Sequence, residues 1–294
     1  MNPKGTKGVV TNFAVRVDFA PVEPVDQIML ELLTEGQPKV RTPNSGKKAL
    51  VVLHDVILNP PAISLGIYDG LVNTVELFEK VGQVYISIDQ LVPAKPVLRW
   101  QPGLPQRLYV ELSRRSVCQR LGGRRICIDP GHGGADSGAV RRQREADLVL
   151  QSGLILARWL ERHGAKVSMT RREDRTCTWE ERLELIKEAE IYLGLHGESV
   201  PGTAQRGTLI LSGPDRQSQR LAQALHRALF LKNDYLVDLG VKPHRDLPLP
   251  KGCVGVVLEL ENVRNLVGEA LLRDIDVQER VVQGLLHGLV EYLS

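Results

Sequence analysis

With 294 residues, 43% hydrophobic and 25% charged, the chain is long enough for two domains of ordinary globular composition, which excludes a mainly disordered or collagen-like polymer. Lys and Arg number 38 against 35 Asp and Glu, and the formal charge of +3 is too small a surplus to imply nucleic-acid binding. No run approaches the roughly 18 apolar residues of a membrane span, and Met1-Asn2-Pro3-Lys4-Gly5-Thr6-Lys7 lacks the apolar core of a signal peptide. The chain as it stands therefore reads as soluble, and work outside the cytoplasm would need an export signal removed from it or encoded upstream. Cys118, Cys127, Cys177 and Cys253 form no C-x-x-C pair, which argues against a zinc knuckle or a disulfide framework. Cys127 and Cys253 lie in or beside apolar runs, the setting of a buried thiol rather than a nucleophile.

Up to about Arg115 the chain consists of short extended segments broken by Pro and Gly: Gly8 to Phe19, Gln27 to Leu33, Ala49 to Ile57, Ala62 to Tyr68, Gln83 to Ile88 and Arg107 to Leu112. A weak repeat runs through them. Gln27-Ile28-Met29-Leu30-Glu31-Leu32, Pro38-Lys39-Val40-Arg41 and Leu50-Val51-Val52-Leu53 return as Gln83-Val84-Tyr85-Ile86-Ser87-Ile88, Pro96-Val97-Leu98-Arg99 and Leu108-Tyr109-Val110-Glu111-Leu112. A twice-used strand unit predicts an all-β sandwich over 1–115. His54 is its lone histidine and reads as an ordinary strand residue.

After a linker expected at 116–123, the rhythm over 124–294 becomes apolar strand, glycine turn, amphipathic helix, which predicts an α/β domain with a mostly parallel sheet flanked by helices. Strands are expected at Arg125 to Asp129, Lys166 to Thr170, Ile191 to Leu195, Gly207 to Leu211 and Val254 to Leu260. Helices are expected at Ala146 to Glu161, Glu180 to Ala189, Gln217 to Phe230 and Val277 to Tyr292, the first stopped by His163-Gly164.

Four residues stand at places where such a fold collects chemistry. His132 is held among glycines after the strand Ile126-Cys127-Ile128-Asp129, and His196 follows Ile191-Tyr192-Leu193-Gly194-Leu195 where a strand empties into a turn. Glu145 opens a helix, whose positive end favours its ionised form. Glu259 is a charge inside the apolar strand Val256-Val257-Leu258-Glu259-Leu260, costly unless paired or functional. Active sites of open α/β sheets gather outside the carboxyl ends of strands, so His132, His196 and Glu259 can converge there. Two histidines and a glutamate are a ligand set used by catalytic zinc, and Glu259 then reads as the acid–base group. Each residue also has a plainer reading: His132 as a turn residue, Glu145 as a helix-start carboxylate, His196 as a satisfied structural histidine. Glu261 rivals Glu259, since period-two alternation puts both on one face. His163, His226, His244 and His287 stay unassigned.

At these residues the C-terminal part resembles the zinc-dependent N-acetylmuramoyl-L-alanine amidases of the amidase-3 type. The resemblance rests on Ile128-Asp129-Pro130-Gly131-His132-Gly133-Gly134 with Asp136, Gly138 and Ala139, on Glu145, on Thr170-Arg171 with Asp174 and Arg182, on Leu195-His196, and on Leu258-Glu259-Leu260 with Asn265. It implies that His132, Glu145 and His196 are zinc ligands and Glu259 the catalytic glutamate. Gly197-Glu198 and Glu261-Asn262 depart from the family pattern, with the expectation that Glu198 and Glu261 add negative charge near the metal and affect substrate orientation. Residues between His196 and Glu259 are too few for the blocking helix of some regulated members, so an open site is expected.

The first half is similar to the AMIN domain, a β-sandwich implicated in binding peptidoglycan or localising the enzyme; Asp69-Gly70-Leu71-Val72-Asn73-Thr74-Val75 carries part of that likeness. Together these imply an enzyme of the periplasm or cell envelope that cuts the amide between N-acetylmuramic acid and L-alanine in peptidoglycan, with an envelope activator protein as a possible partner. The rivals are a zinc peptidase or amidase on another acyl-peptide, and a wall-binding protein whose catalytic domain has decayed. Oligomeric state is not readable from the sequence.

Overall fold

The computed structural model describes residues 8–19, 24–198 and 200–294. The opening heptapeptide Met1–Lys7 lies outside them. The chain divides into two units, 1–119 and 120–294.

The first unit is built from strands: β1 (Gly8–Asp18), β2 (Val25–Leu33), β3 (Val40–Arg41), β4 (Asn44–Ser45), β5 (Lys48–His54), β6 (Val56–Leu58), β7 (Ile63–Gly66), β8 (Val72–Lys80), β9 (Gln83–Gln90), β10 (Pro96–Gln101) and β11 (Gln106–Ser113). One sheet runs β10-β11-β2-β1-β6 and the other β3-β5-β9-β8-β7, with β4 added beside β5. Strand β6 of the first sheet lies against β8 and β9 of the second, so the two face each other. Alternation supplies the core between them: Ile28, Leu30, Leu108 and Val110 from one sheet, and Val51, Leu53, Val84 and Ile86 from the other, are at most 1% exposed.

The repeat explains the pairing. Strand β2 of the first copy bonds to β11 of the second, with Ile28 opposite Val110 and Leu30 opposite Leu108. Strand β9 of the second copy bonds to β5 of the first, with Val84 opposite Leu53 and Ile86 opposite Val51. The copies are therefore interleaved, and neither completes a sheet without the other.

Two differences from expectation have local causes. The run Ala49 to Ile57 is cut at Asp55, whose φ of +56° turns the chain from one sheet to the other. Strand β8 was hidden because a register shift between Val72 and Thr74 breaks its period-two pattern.

The division between the two units falls inside the expected linker 116–123, and most of that segment is helical. Helix α1 (Arg115–Leu121) occupies them, with Val117 and Leu121, one turn apart, fully buried. That i, i+4 apolar pair outweighs the polar residues around it.

The second unit contains β12 (Arg125–Pro130), α2 (Glu145–Arg162), β13 (Lys166–Met169), α3 (Trp179–Ile186), β14 (Ile191–His196), β15 (Thr208–Ser212), α4 (Arg216–Lys232), β16 (Asp238–Pro243), β17 (Val254–Glu259), α5 (Leu266–Arg273) and α6 (Ile275–Tyr292). The sheet order is β13-β12-β14-β17-β15-β16. The first four strands are mutually parallel; β15 runs antiparallel to β17 and β16 parallel to β15. Helix α2 packs on β12 and β13, α4 on β15 and β17, and α6 on α2 and α4. Near α3, Cys127, Tyr192, Val257 and Ile186 form a separate core cluster with Leu247 and Cys253. Beyond that cluster, the strand ends open into a cleft.

Strand β16 and helix α5 were not foreseen. Strand β16 carries Gly240 and Pro243 and lies at the sheet edge, where a strand needs little apolar alternation. Helix α5 is short, and its start is fixed by the Asn265 side chain accepting from the Val267 and Gly268 amides.

Candidate metal centre

Parallel pairing carries β12, β14 and β17 to the same end of the sheet. Pro130 pairs with Leu195 and His196 with Glu259, so the residues after each strand emerge side by side. His132 sits two residues past β12 with φ +61°, a left-handed backbone that turns the imidazole back over the strand ends. Its Nδ1 is 2.9 Å from Asp136 Oδ2, and Asp136 Oδ1 accepts from the Gly138 amide at 3.0 Å. An ordinary side chain at Gly138 (φ +63°) would place its Cβ 2.6 Å from His132 Cδ2 and 2.7 Å from Glu145 Oε2, so the loop closes there only with glycine.

Glu145 is the centre of the group. It is 1% exposed, and its Oε1 lies 3.1 Å from His132 Nε2 and 3.4 Å from His196 Nδ1. The Gly197 amide donates to Oε1 at 2.8 Å and the Ala139 amide to Oε2 at 2.9 Å. The two imidazoles meet edge to face with centroids 5.1 Å apart. One ligand atom from each of His132, Glu145 and His196 lies within 4.8 Å of the others. Burial opposes ionisation of Glu145, but the bonds from both imidazoles and the Ala139 amide hold its carboxyl far below the usual range. The same Glu145 bond raises the His132 pKa to about 9 against the effect of burial.

Glu259 faces His196 across the β14–β17 pair and accepts from the Glu198 amide at 2.9 Å. Burial raises its proton affinity above that of an ordinary glutamate. A cleft of about 440 Å³ contains His132, His196 and Glu259, with Trp179 and His244 also on its walls.

Glu261 belongs elsewhere. Strand β17 ends at Glu259, so alternation does not carry Glu261 onto the cleft face. It is buried and accepts from Arg206 Nη2 at 2.8 Å and from the Gly207 amide at 3.0 Å. Glu198 is paired with Arg264. The expected surplus of negative charge at the site is thus answered by two arginines.

Sequence reasoning did not identify the network beneath His132. Asp129 accepts from Thr170 Oγ1 at 2.5 Å, from Tyr192 OH at 2.8 Å and from Arg182 Nη1. Arg182 Nη2 donates to the His132 carbonyl at 2.8 Å. Asp129 in the glycine motif and the spaced Thr170-Arg171 and Arg182 were its signs in the chain.

Residues 126–291 match the Amidase_3 family model, described as N-acetylmuramoyl-L-alanine amidase. A probable cell wall amidase, LytH of Staphylococcus saprophyticus, is 28% identical over 222 residues, which cover 74% of this chain and 75% of that protein. The catalytic domain of CwlV, an N-acetylmuramoyl-L-alanine amidase from Bacillus (Paenibacillus) polymyxa var. colistinus, superposes with a TM-score of 0.53 at 29% identity, over 58% of this chain and 98% of that one. The CwlD amidase of Clostridioides difficile, solved in complex with the GerS lipoprotein, gives a TM-score of 0.53 at 25% identity, over 58% of this chain and 98% of that one. With more than half its length matched by that family model, and with wall amidases among its relatives in sequence and in structure, the chain belongs to the N-acetylmuramoyl-L-alanine amidase family.

Proposed function

We propose that the amidase is zinc-dependent, that His132, Glu145 and His196 hold the ion, and that Glu259 is the catalytic acid–base group. The observation that carries this reading is the convergence of one donor atom from each of the three side chains within 4.8 Å. The donor set fits the ion chemically: two imidazoles and one carboxylate suit zinc and leave a coordination position open. Asp136 on His132 Nδ1 is the kind of outer partner that orients a ligating histidine. When bound, the ion supplies a Lewis acid that polarises the scissile carbonyl.

The protein's own part is proton transfer. Water adds to the lactyl carbonyl carbon, the C–N bond breaks, and the products are the muramyl carboxylate and the free α-amine of L-alanine. Glu259 takes a proton from the attacking water and returns it to the departing nitrogen. A glutamate whose proton affinity is raised by burial is suited to both halves of that task.

The N-terminal sandwich is proposed to be AMIN-like and to bind peptidoglycan or localise the enzyme, which places the protein in the periplasm or cell envelope. Its two strand sheets are the architecture that this reading requires. An activator protein is a possible partner; CwlD, solved with GerS, is a related amidase with a protein partner. A role in wall remodelling and cell separation follows from the same chemistry.

The test is digestion of purified cell wall with the zinc-loaded chain, with mass spectrometry of the soluble products. Stem peptides with a free L-alanine amine, lost on chelation and in His132→Ala, are expected. Cleavage at another amide would favour the general acyl-peptidase, and no zinc bound after zinc dialysis would favour a decayed wall-binding protein.

A further inference from the structure

Arg171 is 1% exposed, in the loop after β13, and among the described residues it makes no ion pair with a carboxylate. Its donors go to backbone carbonyls. Nε donates to Pro130 O at 3.0 Å, Nη2 donates to both Gly131 O and Ala146 O at 2.7 Å, and Nη1 makes a longer bond to Glu173 O at 3.5 Å. Burial and the nearby Arg182 push its pKa below the usual arginine value. Asp174, Asp129 and Asp147 act on it only from a distance, and a buried guanidinium without a direct ion pair is a poor way to gain stability, because removing a cation from water is repaid best by a paired anion. The geometry accounts for its presence better. Gly131 immediately precedes His132, and Ala146 immediately follows Glu145, so one nitrogen bridges the two chain segments that carry those side chains. The wrapping is close as well. A Cβ at Gly133 (φ +119°) would lie 2.9 Å from Arg171 Cδ and 2.4 Å from Arg175 O.

We infer that Arg171 is a positioning residue that sets the spacing between His132 and Glu145 and thereby the fit of the pair to a metal ion. The inference rests on the proposed ligand set. A planar guanidinium reaches four carbonyls from one rigid fork, which the single ammonium of lysine does not reproduce. Charge alone is therefore insufficient.

The experiment measures zinc affinity of the full chain by competition with a chelator, and the visible spectrum of the cobalt(II) form, for the parent, Arg171→Lys, Arg171→Gln and the control Arg206→Gln. The control removes a different, half-buried arginine, the partner of Glu261, outside the ligand segments. Folding is followed by circular dichroism in each case. The expected result is a folded Arg171→Lys with zinc affinity reduced about 10–100-fold, the range usual for loss of an outer-shell partner, and an altered cobalt spectrum. Arg206→Gln is expected to lose thermal stability and keep the parent's affinity. Parent affinity and spectrum in Arg171→Lys, an equal affinity loss in Arg206→Gln, or failure of both Arg171 variants to fold would each overturn the inference while leaving the ligand set standing. If His132→Ala binds zinc as the parent does, the ligand set itself falls, and the spacing role with it.

Discussion

Glu259 and Glu145 are carboxylates on the same end of the sheet with opposite environments. Glu145 is wrapped by two imidazoles and two amides, which stabilise its charge, whereas Glu259 keeps one amide partner and is pushed by burial toward its protonated form. Separated pKa values divide the labour: the first residue suits a permanent anion, the second a proton carrier. In the proposed mechanism Glu259→Gln removes the proton carrier and leaves the three-donor group untouched. Its turnover is expected to fall about 10²–10⁴-fold, the range typical of a lost general acid–base group, with unchanged zinc content. Full wall digestion by a zinc-replete Glu259→Gln protein would refute the role.

Residues of this kind were legible because they break a local rule: a histidine among glycines, a charge in an apolar strand. Arg171 and Asp129 announce themselves less clearly. Their partners are backbone carbonyls and side chains 25 to 63 positions away, and such contacts leave no periodicity in the sequence.

At the scale of elements, helix α5 shows how an unforeseen piece supports the site. Its Glu269 accepts from the Arg142 and Gln143 amides at 2.7 Å each and pairs with Arg141 at 3.0 Å. Those residues form the turn that leads into Glu145, closed by the Glu145 amide donating to Ala139 O at 2.8 Å. The turn, α5 and the start of α2 therefore stand or fall together. The strand and helix rhythm was readable from apolar spacing, but α5 begins with exposed Leu266 and Val267 and buries only a few side chains, so its face is not written clearly in the chain. Burial works against ionised Glu269, yet the Gln143 and Arg142 amides and Arg141 lower its pKa below the ordinary 4.5. A carboxylate with a depressed folded pKa adds stability that is complete above the unfolded value and disappears as pH falls through the folded one. Glu269→Gln is expected to unfold at a lower temperature than the parent at pH 7, with the gap closing as the solution is acidified below about pH 4. A pH-independent gap in melting scans, or none at pH 7, would contradict this account.

For the whole molecule, the proposed reading assigns cutting and holding to different units. The second unit alone carries the three converging donors and Glu259. The first contributes a strand sandwich whose two repeat copies complete each other's sheets. Interleaving makes that unit an all-or-none structure, since a half-formed copy leaves an open edge in both sheets. No helix among the described residues is long and apolar enough to cross a membrane; in the proposed reading the sandwich holds the enzyme at the wall through surface contacts. Such a division has a kinetic consequence. A chain shortened to residues 115–294, which keeps α1, is expected to hydrolyse a small soluble muramyl peptide with the parent's kcat/KM, because no catalytic group has been removed. On insoluble wall, where the sandwich raises the effective concentration of the active site, the same shortened chain is expected to release product more slowly and to cosediment less. Equal cosedimentation of the two chains, measured at matched salt and with zinc present, would assign the sandwich some role other than wall binding.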